Sequence, residues 1–187
     1  MRFKLMMPMT LCLSLLIAVG SAPTIGEPLP QELGTVENGH YRNILTNVEL
    51  AVPNGWEFKG DGPSTGNGQM AIVASDSGIT VRVWMRPFPL AAADIPAGLR
   101  RLLEQKPSMR PEGWGVRPAS VQERSLSGRP GLSATADYVQ NGTPMVEYDF
   151  WVLSGKTNVF FFGQAEAGKL ETLQADVETL AKSAVIP

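Results

Sequence analysis

The chain has 187 residues and a formal charge of −2, with 43% hydrophobic and 18% charged residues. That composition is globular, and the length suits one domain with a sizeable core rather than two. No basic stretch supplies the electrostatic footprint of a nucleic-acid binder, so nucleic acid is not an expected partner.

At the N-terminus, Arg2 and Lys4 precede an apolar run from Leu11 to Val19, and the small residues Gly20, Ser21 and Ala22 follow. Residues 1–22 therefore read as a signal peptide cleaved after Ala22, with the periplasm or the extracellular space as destination. The run is about half the ~20 residues a membrane span requires, so no stable membrane anchor is expected after cleavage. Cys12, the only cysteine, sits inside the run and too early to be lipidated at the cleavage site. The mature chain then has no thiol for a disulfide, a nucleophile or a metal. Cleavage also leaves 14 basic residues against 18 acidic ones, a net charge of −4.

Residues 23–40, rich in Pro and Gly, read as a flexible leader, and the domain is expected over 41–187. Val48, Leu50 and Val52 alternate as in a half-buried strand, and Pro53-Asn54-Gly55 turns the chain into Trp56-Glu57-Phe58. The glycine-rich stretch from Gly60 to Gly68 is a loop. It lacks the Gly-Lys-Ser/Thr ending of a phosphate loop, and no helix follows it. Met70–Ala74 and Ile79–Arg86, joined by Asp76-Ser77-Gly78, predict a hairpin. Pro87 and Pro89 end it. Asp94 is a candidate N-cap for a helix that places Leu99, Leu102 and Leu103 on one face and stops at Pro107. A loop over Ser108–Gly115 leads to an irregular strand over Val116–Leu126, interrupted by Pro118. Leu132–Tyr138 and Val146–Val152 alternate cleanly on either side of Asn141-Gly142, the strongest hairpin signal in the chain. The Asn141-Gly142-Thr143 sequon doubles as this turn and is followed by Pro144, which argues against glycosylation. Val159-Phe160-Phe161-Phe162 predicts a central strand. Leu170, Leu173, Val177 and Leu180 mark an amphipathic helix over about 168–184.

Short connections demand antiparallel pairing. The economical arrangement is α+β: an antiparallel sheet of about six to eight strands, its apolar face packed under the two leucine-faced helices, in an α/β/α-type sandwich. This layout resembles the PsbP-like superfamily, which includes the photosystem II extrinsic protein PsbP and many exported bacterial proteins. Four features carry the resemblance. Asn47-Val48-Glu49-Leu50-Ala51-Val52-Pro53-Asn54-Gly55-Trp56 is similar to the family's strand-Pro-x-Gly-Trp opening, and a hairpin and helix follow it. Gly128-Arg129-Pro130-Gly131 then leads into a strand ending at Tyr138, and Asn141-Gly142 joins this to an aromatic strand. The last helix runs to Lys182-Ser183-Ala184. The resemblance covers about 41–187. It implies an antiparallel sheet flanked by helices and a binding or assembly role, and it carries no shared catalytic residue.

No catalytic residue, cofactor or metal site is expected. His40 is the only histidine and has no cysteine or second histidine to join in a triad or metal site. Glu147 and Asp149 project from the same face of a strand, as a carboxylate-based hydrolase would need, but a solvated sheet face places polar residues the same way. Arg86, Arg110 and Arg117 flank proline-rich loops with Trp114 among them, and Arg and Trp are favoured at binding hot spots. These four are the candidate partner-binding residues. The expected function is thus that of an exported, non-catalytic binding or accessory protein of the cell envelope, its partner an envelope protein or small ligand. The alternatives are a carrier of an apolar small molecule and, behind it, the hydrolase.

Overall fold

The computed structural model describes residues 34–62, 69–88, 91–105 and 113–187. The expected signal peptide, residues 23–33 of the expected leader, residues 63–68 of the glycine-rich loop and Arg110 lie outside them. In chain order the strands are β1 (Gly34–Glu37), β2 (His40–Asn43), β3 (Glu49–Ala51), β4 (Glu57–Gly62), β5 (Gln69–Ala74) and β6 (Thr80–Pro87). Helix α1 (Ile95–Gln105) precedes β7 (Gly115–Val116), β8 (Gln122–Leu126), β9 (Arg129–Gln140), β10 (Thr143–Leu153) and β11 (Thr157–Glu166). Helix α2 (Leu170–Lys182) precedes β12 (Ala184–Val185).

The alternating segments pair into one large antiparallel sheet of eight strands. Its order is β4-β5-β6-β11-β10-β9-β7, with β8 also on the outer edge of β9. The aromatic strand β11 is central, as its run of three phenylalanines predicts. Asn141 (φ 52°) and Gly142 (φ 80°) make the β9–β10 turn with both central residues left-handed, the twist that hairpins favour. The single irregular strand expected over 116–126 is instead two. Pro118 has no N–H to donate, so the chain leaves the ladder in a 3-10 turn over Pro118–Ser120. The Ser120 hydroxyl replaces the lost backbone partner: it accepts from the Thr135 N–H at 2.8 Å and donates to Arg117 O at 2.7 Å.

A second sheet, β1-β2-β3-β12, is also antiparallel. Two of its strands correct the expected boundaries. Residues 34–40, expected in the leader, form β1 and the start of β2, because Tyr41 is fully buried and stacks on Phe58 at 5.2 Å, tying this hairpin to the large sheet. The last helix ends at Lys182, and Ala184-Val185 pair with Leu50 and Glu49. Ala184 and Ile186 face inward and are buried.

The main core lies between this small sheet with α2 and one face of the large sheet. Tyr41, Leu50, Val83, Phe161, Leu173 and Leu180 belong to it. Each fully buried leucine there stabilises the fold by about 1.5–3 kcal/mol. Gly163 on β11 permits the close approach of α2, since a Cβ at that position would lie 2.6 Å from Leu173 Cδ1. Three hydrogen bonds pin the helix further. Ser75 and Ser77 donate to Asp176 Oδ2 at 2.7 and 2.6 Å, and Tyr148 donates to Glu178 at 3.0 Å. Helix α1 packs elsewhere, on the opposite face of the large sheet, through Ile95 and Leu99. The two helices therefore do not share one apolar face. The sheet is covered on both sides, and β10 is buried from Val146 to Leu153 without alternation.

Candidate binding face

Strand registry orders the α1 side of the large sheet into rows of side chains. At one end, Tyr138, Met145 and Glu166 are neighbours, followed by Ala136, Glu147 and Gln164. The next row is Ala134, Asp149, Phe162 and Arg82. Leu132, Trp151, Phe160 and Trp84 form an aromatic belt, and Leu153, Asn158 and Arg86 close the far end. Within the belt, Trp151 meets Phe160 edge-on at 4.5 Å and Phe160 stacks on Phe162 at 4.6 Å.

Glu147 and Asp149 do share a face, but that face is not solvated. Both are fully buried. The polar-out alternation assumed an open sheet, and this sheet is roofed on both sides. Glu147 accepts from Trp114 Nε1 at 3.3 Å and from Gln164 Nε2 at 2.8 Å. Asp149 is not without partners either. Such carboxylates are held by donors, as buried acids must be.

The candidate partner-binding residues separate along the strands. Trp114 lies against Ala136 and Tyr138 at the β7 edge, 8% exposed, with its indole N–H on Glu147. Arg117, beside it, clamps Asp137 through Nε at 2.7 Å and Nη2 at 2.6 Å. That bond holds the Asp137 carboxyl below its ordinary range. Arg86 sits at the opposite end of the face, in the row of Asn158 and Leu153. About 27 Å of strand separates the two ends, at roughly 3.4 Å per residue. Arg110 lies outside the described residues.

Arg86 has a different environment from Arg117. Its Cζ is 4.8 Å from the Trp84 ring centroid and 4.7 Å from that of Phe88. The three side chains recur at period two and so share one side of the strand. Among the described residues no carboxylate pairs with Arg86, and burial alone pushes its pKa below the ordinary value. Its Nε is buried with no hydrogen-bond partner, as are Trp84 Nε1 and both Nδ2 and Oδ1 of Asn158. Trp84 and Asn158 carried no signal of function when read alone. The alternation of Trp84, Arg86 and Phe88, and a polar Asn at the mouth of a central apolar strand, are the features that mark them.

Concavities are present among the described residues. One, of about 80 Å³, lies between Leu99 and Arg100 of α1 and Leu132 of β9. Another, a groove of about 420 Å³, is lined by Arg82, Gln140, Gln164, Glu166 and Lys169 among others. No group of acidic and histidine residues suited to a metal occurs among the described residues. Nor is any described helix long and apolar enough to cross a membrane.

No protein-family model and no curated protein sequence matches the chain. Solved structures do. The solution structure of cyanobacterial PsbP from Synechocystis sp. PCC 6803 superposes with a TM-score of 0.53 at 12% identity, over 90% of this chain and 99% of the other. The crystal structure of LpqN, involved in cell envelope biogenesis of Mycobacterium tuberculosis, superposes with a TM-score of 0.50 at 13% identity, over 75% of this chain and 84% of the other. At these identities the likeness is one of architecture: two antiparallel sheets with helices on either side of the larger one make this a PsbP-like fold.

Proposed function

We propose that the chain is an exported, non-catalytic binding or accessory protein of the cell envelope, and that it binds through the end of the α1-side face that carries Arg86. The carrying observation is the guanidinium of Arg86, flanked by Trp84 and Phe88 and with no carboxylate partner among the described residues. A charge left uncompensated beside aromatic rings is the composition of a recognition site. The firmly held Glu147 favours binding over hydrolysis, since a general acid or base must be free to exchange a proton with substrate. The LpqN structure supports an envelope setting by analogy of fold.

The test uses the full chain with a C-terminal tag, recovered from the envelope fraction. Its N-terminus by mass spectrometry is expected at Pro23. Species captured by the wild type are expected to be lost with Arg86→Glu and kept with Arg117→Glu. An N-terminus at Met1 would overturn export. Hydrolysis of an envelope substrate, abolished by Glu147→Gln with Asp149→Asn at unchanged stability, would overturn the non-catalytic reading.

A further inference from the structure

Asn158 is 1% exposed, yet neither its amide nitrogen nor its oxygen finds a partner among the described residues. A buried amide in that condition is destabilising, and native folds rarely keep one without a use. Asn158 stands directly opposite Arg86 in the β6–β11 ladder, so their side chains leave the same face about 5 Å apart at Cβ. Trp84, two residues along, adds a third unpartnered donor in Nε1. Four polar atoms on three adjacent residues are thus buried without a partner among the described residues: three donors and one acceptor. Arg86 as a whole is only half-buried, so a ligand would reach these atoms past its side chain.

We propose that Arg86, Asn158 and Trp84 bind the carboxylate of a small organic acid whose apolar body packs on the Trp84 and Phe88 rings. The site is suited to one negative charge, because it offers one guanidinium. A planar carboxylate matches that fork, and desolvation by the flanking rings strengthens the attraction. Asn158 Nδ2 and Trp84 Nε1 supply further donors to the carboxylate. Asn158 Oδ1 remains as an acceptor, which selects an acid bearing a hydroxyl or amine beside its carboxylate. This assignment deepens the binding reading above and names the ligand class.

The probes are mandelate, which carries all three features, phenylacetate, which lacks the hydroxyl, and mandelamide, which lacks the charge. Binding to the full chain is followed by the side-chain N–H resonances of Arg86 and Asn158. Mandelate is expected to shift both saturably, with phenylacetate weaker by about tenfold and mandelamide weaker still, the loss of a buried hydrogen bond or charge setting that scale. Arg86→Met is expected to abolish the response. Asn158→Leu is expected to weaken it at least tenfold, on the same scale, while the thermal midpoint rises, because an unpartnered amide is replaced by an apolar group of similar size. No saturable shift with mandelate, equal binding of mandelamide, or a lowered midpoint in Asn158→Leu would each overturn the assignment. Equal binding of phenylacetate and mandelate would remove the role given to Asn158 Oδ1. If mandelate binds as expected while envelope capture does not depend on Arg86, the ligand site stands and the accessory role falls.

Discussion

Replacing Gly163 by alanine tests how tightly α2 is seated on the large sheet. The added methyl would lie 2.6 Å from Leu173 Cδ1 and 3.4 Å from both Val177 Cγ2 and Thr80 O. Carbon atoms prefer about 3.5–4.0 Å, so the first contact is short by about 1 Å. Leu173 and Val177 are fully buried, which leaves the leucine no solvent to swing into. Overpacking of this kind costs about 1–3 kcal/mol. Reduced freedom of the unfolded chain offsets about 0.4–1 kcal/mol of that. The net loss expected is about 0.5–2 kcal/mol, a fall of roughly 2–6 °C in midpoint for a domain of this size. Urea unfolding followed by circular dichroism measures it. Leu173→Ala alone should cost about 2–5 kcal/mol through the cavity it opens. In the double variant the new methyl occupies part of that cavity, so the combined loss should fall short of the sum by at least ~0.5 kcal/mol. A neutral or stabilised Gly163→Ala, or an additive cycle, would refute the close seating of the helix.

Two further outcomes are expected. Ser120→Ala deprives the buried Thr135 N–H of its acceptor and should cost about 1–3 kcal/mol, with faster hydrogen exchange at Thr135; unchanged exchange would show that the amide finds another partner. Burial, reinforced by the Glu178 carboxylate, pushes the Tyr148 hydroxyl from 10.0 up to about 12. The folded protein therefore holds this proton after the unfolded chain begins to release it. The resulting stabilisation is complete below pH 10 and is lost as the pH rises toward 12. Tyr148→Phe should flatten the alkaline fall in stability, and a fall unchanged by that substitution would contradict the raised hydroxyl.

The segments that pack by simple alternation were legible. β6 follows the period-two pattern and α2 its leucine stripe, because in both the local pattern agrees with the face that is buried; β9 and β10 show the alternation in sequence although both of their faces are buried. Of the small sheet only β3 was legible, through the alternation of Val48, Leu50 and Val52. Its other strands span two to four residues without such a pattern, and β12 depends on β3, far away in the chain. Asn38-Gly39 is the same turn dipeptide as Asn141-Gly142 and likewise left-handed at both residues. It lacks the alternating apolar flanks that make the second one readable. At the candidate face the residue types Arg and Trp pointed to Arg86, but spacing along the chain could not show that Trp114 and Arg117 lie at the other end of the strands. Glu147 and Asp149 were misplaced for one reason: a polar residue at alternate positions signals solvent only where one face of a sheet stays open.

The pairing of β12 with β3 bears on the order in which the protein is assembled. Leu50 waits for Ala184. Until residues 184–186 have been made, β3 has a bare edge and the core beneath it lacks Ala184, Ile186 and the inward face of α2. Contacts that span so much sequence form late and slowly. Synthesis therefore leaves a long interval in which the N-terminal half cannot lock, and a chain passing through a narrow channel would keep its slack until the last strand arrives on the far side.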